Sequence, residues 1–577
     1  MRWWLLSSFL ILASYVTLAQ TKTTLHCIVA DKEASVWKKN RYETQHPDSA
    51  SAVKEVKRVV DLLRTQTYLA ASADQMVYRN DSLLVWFYVG EPFKFNLSKG
   101  NAPEDLLSEL GYKPKDGVNP LYSHQQWLKL SNRMLAYAEN RGYPFASVRL
   151  DSMRQKHGQW QAGIHYQSGP IILFDSLLLS GSAKAKAKFL AIYLNILPRQ
   201  PFSQEKLLQV DKLLAQLPYL KLIQPSSVLF FEEKAYVKIA ANQRKTNQFD
   251  GIIGFLPNQE APKQLLITGD VKLKLSNLFG MGRSIQLQWQ QVRPASPVLY
   301  LEYTHPILFR TRLELKTNFD LLKQDTSFLN VNRRLMLAYP LGKGGKINAS
   351  IGLRTSRLSN GAQYQGNTQL PASSDVSYLS YGLGYEWSTL DDYFYPKQGF
   401  RLNIQGEAGN KKILKNPFVD QQLYEALELN ALQMSIRLLA QQYLSLSKKS
   451  VLLLKLQAAN LASNNLFYND LYRLGGLNSV RGFNENSFYA STYAVGTIEY
   501  HFFTEENAYL LLCYDQAWIS TQTIQGNTRD TPLGFGAGIN FSTKAGAFNL
   551  IYSLGKATNQ IFGLNYSKIH FGFVSIF

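Results

Sequence analysis

From about residue 247 to the end of the chain, apolar and polar residues alternate with a period of two. The run Val271-Lys272-Leu273-Lys274-Leu275-Ser276 does so strictly, as do Ile285-Gln286-Leu287-Gln288-Trp289-Gln290 and Ile347-Asn348-Ala349-Ser350-Ile351-Gly352-Leu353-Arg354. That period predicts β-strands with one greasy and one wet face. In a soluble sandwich the greasy face would be a core; in a membrane barrel it faces lipid, and the wet face lines the lumen. About sixteen such runs of roughly 8 to 14 residues can be counted, and an even number suits a closed antiparallel barrel. Many are joined by short turns, among them Phe279-Gly280-Met281-Gly282 and Gly342-Lys343-Gly344-Gly345. Lipid offers no hydrogen-bond partners, so every strand edge has to be paired and the sheet has to close. On the last run Ile569, Phe571, Phe573 and Phe577 share one face.

Before residue 247 the period is helical. Val53, Val56, Val60 and Leu63 recur at helix spacing, and Val210, Leu213, Leu214 and Leu217 do so until Pro218 stops the turn. Between them, Ser123 and Gln126 have capping-box spacing ahead of Trp127, Leu130 and Met134, with Gly142 as the stop. Tyr68, Tyr143 and Tyr219, each just past one of these helices, lie about 75 residues apart, which predicts three copies of one unit. Strand-like runs follow each tyrosine: 83–89 after Asn80-Asp81, 160–166 after His157-Gly158 with Trp160, Ala162 and Ile164 on one face, and 228–240. Each unit is therefore expected to be strand, helices, strand, strand, its small sheet leaving edges on which another chain's strand could dock.

The fold class expected is thus α+β repeats followed by an all-β transmembrane barrel. Boundaries fall at 1–19 for a signal peptide, 20–96, 97–170 and 171–243 for the repeats, and 247–577 for a 16-stranded antiparallel barrel. The leader rests on Met1-Arg2, the apolar run 3–16 and Thr17-Leu18-Ala19, the pattern of an exported chain. Composition agrees with folded structure throughout: aromatics make up 13% and charged residues 18%. Cys27 and Cys513 are the two cysteines, too few for a disulfide framework. The net charge of +20 raises nucleic acid as a partner, but the basic residues are spread along the chain without a recognition motif, so none is expected. There is no Gly-x-Ser-x-Gly elbow or His-Glu-x-x-His pair, and the 8 histidines have no ligand spacing. The chain is accordingly expected not to be an enzyme, with no catalytic, cofactor-binding or metal-binding residues.

One stretch carries more information than the rest: Leu474-Gly475-Gly476-Leu477-Asn478-Ser479-Val480-Arg481-Gly482-Phe483-Asn484. A buried lone arginine is costly, so Arg481 requires a partner wherever it is dehydrated. With export, three αβ repeats, the barrel and Val480-Arg481-Gly482-Phe483, the chain resembles the BamA/TamA superfamily of outer-membrane assembly factors. Its repeats look like POTRA domains, and three of them make it more similar to TamA. The resemblance implies that the loop folds back into the lumen and that Arg481 pairs with Glu499 and Asp515, while Val480, Gly482 and Phe483 pack the latch. Alternation places Glu499 inward with Thr497 and His501; for Asp515 it leaves the face open, since 510–514 is apolar on both sides. Cys513 and Ala517 stand where the family has phenylalanine and glycine. The family-like segment Asp391-Asp392 with Tyr395-Pro396-Lys397-Gln398-Gly399-Phe400 is expected to be a turn without chemistry. Phe573 and Phe577 look like the C-terminal sorting signal of outer-membrane barrels.

The implied function is insertion of client β-barrel or secreted proteins through a seam between the first and last strands, weakened at Gly251, Gly254 and Gly572. The implied partners are outer-membrane lipid, unfolded client proteins and a TamB-like periplasmic or inner-membrane protein docked on the repeats. The implied location is the outer membrane of a Gram-negative bacterium, with the repeats in the periplasm. The alternative within this resemblance is a secretion pore for one dedicated partner protein, of the two-partner type. Conductance, ester hydrolysis and client-insertion assays separate these from a passive porin or an outer-membrane lipase.

Overall fold

The computed structural model describes residues 23–29, 41–66, 68–112, 119–156, 159–257, 265–291, 296–342, 344–543, 546–560 and 562–576. The leader segment 1–19, the His157-Gly158 turn, Lys343 and Phe577 lie outside the described residues. The chain divides into two compact units, the first holding two repeats and the second holding the third repeat with the barrel.

In the first repeat Thr23–Val29 runs parallel to Ser82–Tyr88, flanked by Gln45–His46 and Ser72–Arg79. The helix Ser49–Thr65 is capped by Asp48, whose carboxylate accepts from Ser51 N–H. It buries Ala52, Val56, Val59, Val60 and Leu63 against Leu25, Leu83, Val85 and Phe87. This stripe differs from the predicted one: Val53 is 44% exposed and Val59 is buried. The face that meets the sheet is centred on positions 52, 56, 59 and 63, and one residue of offset turns Val53 about 100° away from it.

The second repeat has the same order, with Lys94–Ser98 parallel to Gln159–Gln167 and Leu121–Ser123 and Ser147–Lys156 outside them. Ser123 and Gln126 cap the helix His124–Glu139 reciprocally, and Trp127, Leu130 and Met134 pack on Phe95, Leu97, Ala162 and Ile164. Trp160, on the same face as Ala162 and Ile164 but at the start of the strand, is 38% exposed beside the Phe93 ring. In the third repeat Leu173–Ser180 runs parallel to Lys234–Gln243, and the helix Gln204–Ala215 buries Val210 and Leu214.

The barrel is a closed sheet of sixteen long antiparallel strands, from Gln248–Pro257 to Lys568–Ile576. A short strand, Gly526–Asp530, only lengthens one hairpin beyond Ala508–Thr523. Outward positions are apolar and exposed, as at Tyr381, Leu383, Leu510, Leu512, Ile569 and Phe571. Inward positions carry Arg334, Glu407, Lys411 and Arg437, paired with one another or with the loop described next. Lipid on one side and water on the other demand opposite chemistry from neighbouring residues, and this produces the period of two. Closure is uneven. Among the described residues, the first strand pairs with the second at ten positions from Gln248 to Pro257, but with the last at two, Gln248 with Ile576 and Phe249 with Ser575.

Candidate functional site: a re-entrant loop held by ion pairs

Residues 463–491 connect the barrel strands Ser450–Ala462 and Thr492–Glu505. A two-stranded stem, Tyr472–Leu474 with Phe488–Ala490, carries the tip. Gly475 and Gly476 have φ of +111° and +91°, and Gly482 has +88°, a region open to glycine and costly for other residues. Within the tip, Gly475 N–H donates to Ser479 Oγ at 2.7 Å and Leu477 N–H to Glu485 Oε1 at 2.9 Å.

The tip presents Arg481 to two strands. Its Nε and Nη2 donate to the two oxygens of Asp515, both at 2.7 Å, its Nη1 donates to Glu499 Oε1 at 2.7 Å, and its backbone N–H reaches Asp515 Oδ2 at 3.1 Å. Arg481 is 3% exposed and Asp515 fully buried. A two-pronged guanidinium–carboxylate contact is the strong form of ion pair, and burial makes loss of either partner expensive, about 3–5 kcal/mol. Thr497 Oγ1 donates to Asp515 Oδ1 at 2.7 Å, and His501 Nε2 hydrogen-bonds Glu499 Oε2 at 2.7 Å. The carboxylates are therefore oriented from behind. Asp515, which alternation left open, faces inward, and Leu511 and Cys513 on the same face are covered by Leu477 of the loop.

Val480 and Phe483 are buried with Leu474, Ala490, Val495, Ala517 and Ile519, and the Phe483 ring meets Phe488 edge-on at 4.9 Å. Behind them lies a glycine row that the sequence reading did not single out. A Cβ on Gly534 would lie 2.0 Å from the Arg481 carbonyl oxygen, and one on Gly555 would lie 2.7 Å from the Phe483 ring. The signal was present as Gly534, Gly536 and Gly538, three glycines on one face of the strand Leu533–Ser542.

The other end of the loop is fastened as firmly, and no pattern had pointed to it. Asp470 is fully buried and pairs with Lys411 and Arg354 from two barrel strands. Asn469 donates to Ser356 Oγ at 2.5 Å and to Ser374 O at 2.8 Å, and Arg473 donates to Gln324 Oε1 at 2.6 Å. Gln324, Arg354 with Ser356, and Lys411 lie on the barrel strands Leu313–Gln324, Gly345–Leu358 and Gly399–Leu414, while the partners of Arg481 lie on Thr492–Glu505 and Ala508–Thr523, so the loop bridges the lumen from wall to wall.

The segment 389–398 is the turn between the barrel strands Asp375–Ser388 and Gly399–Leu414, and it also carries an ion pair. Asp392 accepts from Arg244 Nη1 at 2.8 Å and from the N–H groups of Phe394 and Tyr395 at 2.7 and 2.8 Å. Burial pushes its carboxyl up, but the Arg244 hydrogen bond and the two backbone donors outweigh that and hold it below its ordinary value. The seam residues Gly251, Gly254 and Gly572 lie on the first and last strands; Gly572 is paired with Asn549 and not with the first strand. The Phe573 ring packs on Phe548 at 4.6 Å, whereas Phe577 is outside the described residues.

Residues 277–577 match the model of the Omp85 superfamily domain. No curated protein matches the chain in sequence. Among solved structures, CdiB from Acinetobacter baumannii is 12% identical over 90% of this chain and 97% of its own, with a TM-score of 0.54. CdiB from Escherichia coli is 13% identical over 92% and 97%, also at 0.54. BamA from Haemophilus ducreyi lacking POTRA domains 1-3 is 15% identical over 84% and 100%, with a TM-score of 0.41. At these identities the likeness to CdiB is one of fold.

Proposed function

Since the chain belongs to the Omp85 superfamily and is an outer-membrane β-barrel, we propose that it is an assembly factor that inserts or translocates client β-barrel or secreted proteins through its lateral seam. The observation that carries this reading is the seam itself, two paired positions among the described residues against ten on the first strand's other side. The last strand is paired along 568–574 with its other neighbour, so the same residues offer a free edge toward the first strand. A client strand can add to that edge and exchange hydrogen bonds without exposing them to lipid, where each unpaired group costs several kcal/mol. The glycines Gly251, Gly254 and Gly572 remove side-chain packing that would resist the exchange.

The latched loop keeps the lumen occupied while the seam works. Ser72–Arg79 and Ser147–Lys156 each end their sheet, and these edges suit a strand from an unfolded client or a TamB-like periplasmic or inner-membrane partner. In this reading the barrel sits in the outer membrane of a Gram-negative cell with the repeats in the periplasm. Its work is mechanical, with no catalytic step.

The test is a reversible lock. Phe249→Cys with Ser575→Cys, at a paired position, in a chain whose Cys27 and Cys513 are replaced by serine, is oxidised in proteoliposomes and supplied with an unfolded outer-membrane barrel. Insertion should stop on oxidation and return on reduction. Undiminished insertion by the oxidised form would overturn the seam. Secretion of a dedicated partner through the lumen, unaffected by oxidation, would establish the secretion-pore alternative instead.

A further inference from the structure

We infer that Tyr395, Tyr509 and His501 are positioning residues through which the third repeat, acting at Arg244, holds the Arg481 tip inside the lumen. The inference rests on the latch and not on the identity of any client.

Arg244 lies between the last strand of the third repeat, Lys234–Gln243, and the first barrel strand, so displacement of the repeat pulls directly on it. Its backbone N–H donates to Tyr219 O of the repeat at 2.9 Å, while its guanidinium binds Asp392 and lies 4.7 Å over the Phe394 ring. Asp392 in turn shapes its turn through two backbone N–H groups, and Asp391 Oδ1 adds Lys397 N–H at 3.0 Å. The turn is thus folded around two carboxylates. Moving one of them moves Tyr395.

Tyr395 reaches across the repeat-side mouth of the barrel. Its hydroxyl bonds Ser542 Oγ, and its ring meets Tyr509 edge-on at 6.4 Å. Tyr509 lies flat on His501, 4.4 Å between ring centres. His501 binds Glu499, and Glu499 binds Arg481. Each step from repeat to loop tip is therefore a direct contact. Lys397 over the Phe503 ring at 4.7 Å, with Phe503 at 5.2 Å from Tyr509, makes a second strand of the same connection.

Such a chain transmits a shift because close-packed rings and fully engaged carboxylates move between discrete arrangements and do not deform smoothly. His501 is buried, so without Tyr509 against its face it would be free to turn, and Glu499 would lose the donor that holds its second oxygen. The third repeat also rests on the rim through Lys221 with Glu506 at 2.8 Å and Lys186 N–H with Gly280 O at 2.8 Å. Those contacts seat the repeat. Arg244 continues inward.

Spatial continuity becomes coupling only when non-additivity is measured, and the protein contains its own reporter. Cys513 is buried under Leu477 of the loop. In the full chain carrying Cys27→Ser, in detergent, the rate of N-ethylmaleimide addition to Cys513 reads how often the loop lifts. Arg481→Ala should raise that rate, and Arg244→Ala should raise it roughly fivefold or more, the scale of a site-to-site coupling. Arg244→Ala added to His501→Ala should have no further effect. Tyr395→Ala should expose Cys513 while Tyr395→Phe, which keeps the ring, should protect it, a contrast that decides the matter if Arg244→Ala fails to assemble. Heat-modifiable gel mobility confirms the folded barrel in each case. An unchanged rate in Arg244→Ala with a raised rate in Arg481→Ala overturns the relay, as do multiplicative effects of Arg244→Ala and His501→Ala. An unchanged rate in Arg481→Ala overturns the latch itself.

Discussion

Replacing Asp515 by asparagine tests the latch at its strongest point. The substitution keeps the size of the side chain and one acceptor oxygen, but it removes the charge facing a buried arginine. Of the two side-chain hydrogen bonds from Arg481 to Asp515, one loses its acceptor, because the amide nitrogen that replaces an oxygen can only donate, and the other meets an uncharged oxygen. A hydrogen bond to a charged group contributes about 1.5–3 kcal/mol, so the loss of one costs about that much, and Glu499 retains its own ionic contact. That shifts the ratio of seated to lifted loop by about 10- to 150-fold toward the lifted state. Since the loop bridges the lumen, the assay is conductance in planar bilayers: the time spent in large-conductance states should rise by a comparable factor. The pair is buried, so the wild-type frequency should change little between low and high salt. Asp515→Asn channels as quiet as wild type would refute the reasoning. So would a larger effect from Glu499→Gln, because Glu499 gives Arg481 one bond and shares its carboxylate with His501.

Gly534→Ala should release the tip without touching a charge, since its Cβ would overlap the Arg481 carbonyl, whereas Gly496→Ala, with nothing nearer than 4.0 Å, should behave as wild type in the same bilayers. Lys411→Met leaves Asp470 buried with Arg354 as its remaining ionic partner and should lower the temperature of heat-modifiable unfolding, by about 3–5 kcal/mol of stability. Adding Asp470→Asn should restore part of that loss; a further drop would contradict the account. The Asp392 carboxyl is held below its ordinary value, so its contact with Arg244 stabilises the folded state above the unfolded carboxyl value and fades as pH falls through the folded one. Hydrogen-exchange protection in the third repeat, taken relative to the intrinsic amide rate at each pH, should therefore fall in acid, and Arg244→Ala should flatten that profile.

The barrel was legible because lipid and water impose opposite requirements on alternate residues, and runs such as 347–354 show this over a whole strand. The repeats were legible from helix spacing, although Val53 shows that spacing alone cannot set the rotation of a helix to within one residue. Arg481 could be read because a buried cation demands a partner, and the structure brings it to Glu499 and Asp515. What stayed hidden is long-range. Leu511 and Cys513 made the Asp515 strand look apolar on both faces because the loop, distant in sequence, supplies their cover. Asp470 meets Lys411 and Arg354 across 59 and 116 residues, and Asp392 meets Arg244 across 148. No period or spacing encodes contacts of that kind.

The two-sided fastening of the 463–491 loop has a mechanical consequence. A cylinder whose staves are nearly unzipped along one line would ordinarily flatten or splay under lateral pressure from the bilayer. Here a strut pinned near Asp470 on one wall and at Arg481 on the opposite wall resists ovalisation. The hoop can therefore stay round while its free edge remains available, and loosening the strut would turn a local gap into a change of girth.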